Sequence, residues 1–183
     1  MQKVVLSEIS LIDGDVKTPK GFEIDRVKIK NDIISSYIKK DRISQNNKDY
    51  SYQDYQVPFS QPLQWLRDYL RDHIRLEHHF TLIPKLDFGV VLNPKEKSFL
   101  RNQVDLVDLR NSADFTLIYV VECEKDSCEL VIEYDDNRRK NRTWHVPLLN
   151  NYFYLFPSTQ KYFISENKSE KINIFLTSTY EYI

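Results

Sequence analysis

The stretch NYFYLFPSTQKYFISENKSEKINIFLTSTYE, residues 151–181, decides the fold of this chain. Aromatic and β-branched residues recur there in three short runs, which is the composition that strands prefer. Pro157-Ser158-Thr159 lies between the first run and the second, and the polar segment 165–169 lies between the second and the third. The stretch therefore predicts the three closing strands of an antiparallel β-barrel.

From residue 80 onward the chain predicts β structure. Candidate strands cover 80–87, 88–92, 98–109, 115–122, 129–134 and 142–148. The run 115–122 (FTLIYVVE) is the most hydrophobic and is predicted to be central. Residues 60–76 instead predict a helix, because apolar residues recur there at helical spacing and Ser60 is a fitting N-cap. The predicted buried stripe of this helix is Leu63, Leu66, Leu70 and Ile74.

The N-terminal part has weaker patterns. Residues 4–12 predict a strand that a turn at 13–15 ends, 22–29 an extended segment, 31–40 a short helix and 41–57 a polar loop. The predicted fold is mainly β with N-terminal helices: a jelly-roll, or double-stranded β-helix, of about eight strands with one or two helices packed outside. We expect one domain, with a strand, short helix and tyrosine-rich arm over 1–58 and the helix and β core over 59–183.

Composition excludes several classes of function. The 183 residues have a net charge of −1, so no global field attracts nucleic acid or an anionic membrane. No apolar run reaches the length of a membrane span, and the first residues lack a cleavable signal pattern. Cys123 and Cys128 have a spacing that differs from zinc-knuckle and thioredoxin motifs, so we expect reduced thiols. Whether these two cysteines pair is left open.

The Phe156-Pro157-Ser158 turn resembles one in iron(II)/2-oxoglutarate oxygenases of the prolyl-hydroxylase type. In that family a metal-binding His follows the turn by about four residues and an Arg on the last strand binds 2-oxoglutarate. The run 115–121 resembles the family's central strand, with Thr116 and Tyr119 as landmarks, and places the family's His-x-Asp pair near 108–110. The resemblance therefore assigns the four functional positions to Asp108, Arg110, Tyr162 and Lys171.

These four residues predict a degenerate site without a cofactor. Arg110 stays protonated at neutral pH and does not ligate a metal. Tyr162 is a poor ferrous ligand without histidine partners, and Lys171 offers a carboxylate only a point charge. An ion pair of Asp108 with Arg110 or Lys171 is the expected filling of the former pocket.

Two other interpretations stay open. An active hydroxylase with displaced ligands would bind Fe(II) and 2-oxoglutarate through His145, one of His78 or His79, and a carboxylate. The candidate carboxylates are Asp108 and Asp87. A small-molecule-binding barrel would use Lys171 as its anion anchor. The simpler expectation is that His78 and His79 lie at a solvated helix end, and that Trp144 is buried while His145 is exposed or hydrogen-bonded.

The favoured function is a non-catalytic structural protein. The resemblance extends to oxygenase-like proteins of tailed-phage genomes, and 3 Gly and 1 Met against 12 Tyr and 10 Phe fit an AT-rich coding genome. A neck, head–tail connector or tail component of the virion, assembled in the host cytoplasm, is the expected role; a cytoplasmic location is the alternative. We expect other protein subunits as partners, in a homo- or hetero-oligomer, with no membrane and no specific nucleic acid. The predicted interface residues are Tyr50, Tyr52, Tyr55, Arg138 and Arg139.

Overall fold

The computed structural model describes residues 9–18, 23–44, 55–104, 107–137 and 140–183. Within these ranges the chain forms nine strands, two α-helices and one short 3-10 turn. In chain order they are β1 (Ile12–Asp15), α1 (Arg26–Ser44), β2 (Tyr55–Gln56), α2 (Gln61–His78), β3 (Leu82–Leu92), the 3-10 turn (Leu109–Asn111), β4 (Phe115–Glu122), β5 (Glu129–Asn137), β6 (Lys140–Pro147), β7 (Tyr152–Pro157), β8 (Lys161–Ile164) and β9 (Asn173–Tyr182).

The strands form two antiparallel sheets. The larger sheet has the order β1-β7-β4-β9-β3-β2, and the smaller has the order β6-β5-β8. The last strand, β9, lies between β4 and β3 in the middle of the larger sheet, so the chain ends by completing the core. This arrangement confirms the predicted fold class, a jelly-roll or double-stranded β-helix with helices outside. None of the described helices is both long enough and apolar enough to cross a bilayer.

The larger sheet is buried on both faces, which explains the continuous apolar run of β4. Ile118 and Val120 face the space between the two sheets, whereas Leu117 and Tyr119 face the helices. Below, "barrel interior" means the space between the sheets. Its buried apolar lining is Val90, Leu92, Ile118, Val120, Leu130, Ile132, Leu148, Tyr154, Phe156, Tyr162, Ile164 and Phe175.

Both helices pack on the outer face of the larger sheet. The stripe Leu63, Leu66, Leu70 and Ile74 of α2 is buried, as the sequence predicts. Ile33 of α1 lies directly over Gly89 of β3, where an added Cβ would stand 2.6 Å from Ile33 Cγ2. Glycine at this position therefore permits the close approach of helix and sheet.

Several predicted boundaries are wrong in the N-terminal part. The expected turn at 13–15 is strand β1, which pairs with β7. The expected extended segment 22–29 enters α1, because the Asp25 carboxylate accepts the Lys28 N–H at 2.8 Å and caps the helix there. The same helix continues to Ser44, into the predicted loop. Residues 4–8 of the predicted first strand lie outside the described residues.

Other boundaries change in the β region. The two strands predicted over 80–92 are the single strand β3, which has a bulge between Pro84 and Leu86. The described residues of the predicted strand 98–109 do not form a continuous strand, because their backbone meets β8 at separate points such as Arg101. Trp144 is 51% exposed rather than buried, because β6 is the outer strand of the smaller sheet.

Candidate functional site

The barrel interior is where the family resemblance places a site, and one end of it is marked by two hydroxyl groups. Thr116, near the start of β4, and Ser158, just after β7, are both fully buried. Their Oγ atoms lie 2.8 Å apart. The Ser158 N–H also donates to the carbonyl of Asp114 at 2.9 Å. We call this the Thr116 end of the barrel.

Tyr162 of β8 points into the barrel interior near this end and is 2% exposed. Its ring meets Phe156 edge to face, with the centroids 5.2 Å apart. Its hydroxyl accepts a hydrogen bond from Gln103 Nε2 at 3.1 Å. The backbone of Tyr162 pairs with Arg101, whose Nε and Nη2 atoms are buried. Sequence reasoning missed Gln103 and Arg101, because only the tertiary fold brings them to β8.

The opposite end of the barrel contains a buried amide network. Asn167 and Asn173 have no exposed surface. Asn173 Nδ2 lies 2.9 Å from Asn167 Oδ1, 2.8 Å from Ser127 Oγ and 3.1 Å from Cys128 Sγ. Asn167 Nδ2 in turn donates to the carbonyl of Leu92 at 3.2 Å. These contacts satisfy the polar groups at the end of the core, which we call the Asn173 end.

The four positions assigned by resemblance do not converge. Asp108 and Arg110 are exposed beside the 3-10 turn, and Asp108 Oδ2 accepts a hydrogen bond from Asn111 at 2.7 Å. Lys171 precedes β9 at the Asn173 end, where its Nζ donates to Glu124 Oε1 at 2.6 Å and the side chain is 74% exposed. That hydrogen bond raises the pKa of Lys171. The length of β4, roughly 20 Å, separates the two ends, so Lys171 is not brought to Asp108.

The alternative ligand residues lie in different layers of the molecule. His145 is on β6, is 53% exposed and has its Nδ1 3.0 Å from Glu129 Oε2. His78 ends α2, and His79 follows it in the left-handed conformation. Asp87 of β3 faces α2 instead of the barrel interior.

Asp87 belongs to a buried polar cluster under α2. Its carboxylate forms an ion pair with Arg67 of α2 and accepts a hydrogen bond from Ser178 Oγ at 2.6 Å. Burial raises the pKa of the neighbouring Tyr180 to about 12. This cluster joins the helix to β3 and β9. The sequence pattern could not predict it, because its residues are far apart in the chain and meet only in the fold.

Within the part of the chain that the structure describes, no three His, Cys, Asp or Glu side chains stand together as metal ligands. An iron(II) oxygenase centre needs two histidines and one carboxylate on one face of the metal. The side chain that enters the barrel at the expected histidine position is the phenol of Tyr162, against Phe156. This donor set does not fit that centre. Of the predicted interface residues, Tyr55 lies in β2, and the other four lie outside the described ranges.

The fold is the double-stranded β-helix found in solved iron(II)/2-oxoglutarate oxygenases. No protein-family model matches the sequence, and no curated protein matches it. A prolyl-4-hydroxylase of Pseudomonas putida superposes with a TM-score of 0.57 at 11% identity, over 93% of this chain and 87% of that one.

Two further solved structures resemble the chain. The viral collagen prolyl hydroxylase vCPH of Paramecium Bursaria Chlorella virus-1 gives a TM-score of 0.57 at 12% identity, over 93% of this chain and 94% of that one. The non-heme alpha ketoglutarate dependent carbocyclase SnoK from nogalamycin biosynthesis gives 0.60 at 9%, over 94% and 79%. At these identities the likeness shows the fold alone.

Proposed function

We propose that this chain uses the oxygenase-like double-stranded β-helix as a non-catalytic scaffold that packs against other protein subunits. The observation that carries the proposal is the chemistry of the barrel interior. Tyr162 fills the position that resemblance gives to a metal-binding histidine, and it is held there by Phe156 and Gln103. Asp108 and Lys171 stand at opposite ends of the barrel, on its surface.

The more specific form of the proposal is a structural component of a tailed-phage particle, in the neck, the head–tail connector or the tail. The residue usage of the chain supports this role. A surface segment also supports it: four large apolar side chains that precede β4 are more than half exposed, namely Phe99, Leu100, Val107 and Leu109. Large apolar side chains that are exposed near one another in the sequence support a role in subunit contacts.

The first experiment tests the chemistry. The purified chain is titrated with manganous or ferrous ion, each with and without 2-oxoglutarate, by calorimetry and by thermal unfolding. We expect no binding of metal that depends on 2-oxoglutarate and no shift of the unfolding midpoint. Among the described residues, no iron ligand set faces the barrel interior, and Lys171, the predicted anchor for the 2-oxoglutarate carboxylate, does not face it either. Tight binding of metal that depends on 2-oxoglutarate would instead support an active hydroxylase with displaced ligands.

The second experiment tests assembly. We expect the chain to elute as a multimer in sizing chromatography with light scattering, and Leu109→Glu to shift it toward the monomer. Lys125→Glu, on an exposed turn at the Asn173 end, is the matched control and leaves the multimer intact. A folded monomer that associates neither with itself nor with other particle proteins would refute the scaffold role.

A further inference from the structure

The connection between β4 and β5 places two cysteines side by side. Cys123 directly follows β4 and Cys128 directly precedes β5, and the Ser127 N–H donates to the Glu124 carbonyl at 3.2 Å to close the turn between them. A closed four-residue turn brings its flanking residues together. The two cysteines and Ser127 of the turn are only 2–3% exposed, whereas Glu124, Lys125 and Asp126 of the turn are exposed.

The surroundings of the two sulfur atoms differ. Asn173 Nδ2 lies 3.1 Å from Cys128 Sγ, and Cys123 Sγ lies 3.4 Å from Ser127 Oγ. The hydrogen bond from the Cys123 thiol lowers the pKa of Cys128 to about 7, with smaller contributions from Asn173, Ser127 and the charge of Lys168, against the opposing effect of burial. The same hydrogen bond, together with burial, raises the pKa of Cys123.

The Cys128 thiol therefore ionises more readily than an ordinary thiol, and the Cys123 thiol ionises less readily. Thiol–disulfide chemistry requires this combination, since the thiolate attacks and a neighbouring thiol resolves the product.

We propose that Cys123 and Cys128 are a redox-responsive dithiol that closes to an intramolecular disulfide on reaction with a hydroperoxide. The Cys128 thiolate attacks the outer peroxide oxygen, the O–O bond breaks, and the alkoxide takes a proton and leaves as an alcohol. Cys123 then attacks the resulting sulfenic acid, forming the S–S bond, and its proton leaves with the hydroxyl group as water. Two thiols are oxidised and one hydroperoxide is reduced, and a dithiol reductant reverses the change.

The disulfide would join the two sheets of the barrel. Cys123 directly follows β4 of the larger sheet, and Cys128 directly precedes β5 of the smaller one. Closure therefore fixes the Asn173 end of the barrel covalently. Because the closed loop is short, we expect the midpoint of thermal unfolding to rise by about 5 °C.

The test begins with the reduced full chain in buffers with and without hydrogen peroxide. We expect the number of alkylatable thiols after denaturation to fall from two to none, the mass to fall by two hydrogens, and peptide mapping to link Cys123 with Cys128. Dithiothreitol should restore both thiols and the original unfolding midpoint. Retention of two thiols, or disulfides between chains on a non-reducing gel, would overturn the proposal.

Variants separate the roles of the two sulfur atoms. In Cys123→Ala the sulfenic acid of Cys128 should persist and react with dimedone, whereas Cys128→Ala should resist oxidation. Lys168→Ala changes an exposed side chain and should still form the disulfide. If the cysteine variants do not fold, the rate of wild-type disulfide formation against pH decides, since it should rise at a pH below the ordinary pKa of a thiol. A rate that rises only near pH 9 would contradict the proposal.

Discussion

Replacement of Asp87 should destabilise the fold strongly. Its partner Arg67, on the sheet-facing side of α2, would then remain largely buried without the Asp87 carboxylate. The two side chains are 2% and 18% exposed. Removing one member of a buried ion pair costs about 3–5 kcal/mol, since the other charge is left uncompensated. Asp87→Ala also removes the acceptor of Ser178, 2.6 Å away, so we place its effect at the upper end of that range.

The double variant Arg67→Met with Asp87→Leu should recover most of this loss. Apolar groups of similar size often replace a buried ion pair without a penalty. The remaining loss should be about 1 kcal/mol, for the hydroxyl of Ser178 that no longer has its acceptor. Each single variant should then be roughly 2–4 kcal/mol less stable than the double variant, which requires a large coupling between the two residues.

Urea unfolding followed by tryptophan fluorescence measures these changes. Lys85 and Glu181 provide a matched control on the same two strands, because they form an ion pair of 2.6 Å with side chains 23% and 43% exposed. Glu181→Ala should cost less than about 1 kcal/mol, as expected for a pair near the surface. The reasoning is refuted if Asp87→Ala costs no more than Glu181→Ala, or if the Arg67 and Asp87 effects simply add.

Three further predictions concern pH and the amide network. Burial raises the pKa of Tyr119, Tyr154 and Tyr180 to about 12. Their contribution to folding stability is therefore complete below the ordinary pKa of tyrosine and is lost as pH rises toward 12. In an alkaline titration, the tyrosinate absorbance of these residues should appear together with the loss of the folded circular dichroism signal. The lowered pKa of Cys128 acts in the opposite sense, so the reduced protein should gain stability between about pH 7 and 9, and Cys128→Ala should remove that slope. Asn173→Ala should cost about 3 kcal/mol in urea unfolding, because it leaves buried partners unsatisfied, whereas the exposed Asn111→Ala should cost under about 1 kcal/mol. The first prediction is contradicted if these tyrosines titrate at their ordinary pKa in the folded chain. The second is contradicted if the stability does not change over that pH range, and the third if the two asparagine variants have equal effects.

The β core was predictable because its pattern is local. The runs of β4 and β7 to β9 are apolar enough to identify strands without any partner, and the stripe of α2 repeats at helical spacing. The start of α1 was missed because it depends on one capping contact from Asp25. The segment 98–109 alternates like a strand, yet its described residues contact β8 at separate points, which a sequence pattern does not distinguish from a ladder.

The candidate site was less predictable, because its residues meet only in the folded chain. The family resemblance places Lys171 on the last strand, but β9 begins two residues later. The buried polar residue at the start of β9 is Asn173. Similarly, Asp87 is a residue type that can bind a metal, but in the fold its carboxylate pairs with Arg67 and fixes α2 to the sheet. Which face of a strand a polar side chain occupies depends on register, and the bulge at Pro84 alters that register in β3.

The barrel interior keeps its shape through contacts between its own side chains at both ends. At the Thr116 end, Tyr162 is held by Gln103 and Phe156. At the Asn173 end, the amide of Asn167 bonds to Leu92 of β3 and the amide of Asn173 contacts Cys128 of the β4–β5 connection. Buried polar groups that are hydrogen-bonded in this way rigidify the core around them. These contacts at both ends of the barrel interior are the physical basis on which a scaffold role is proposed for this chain.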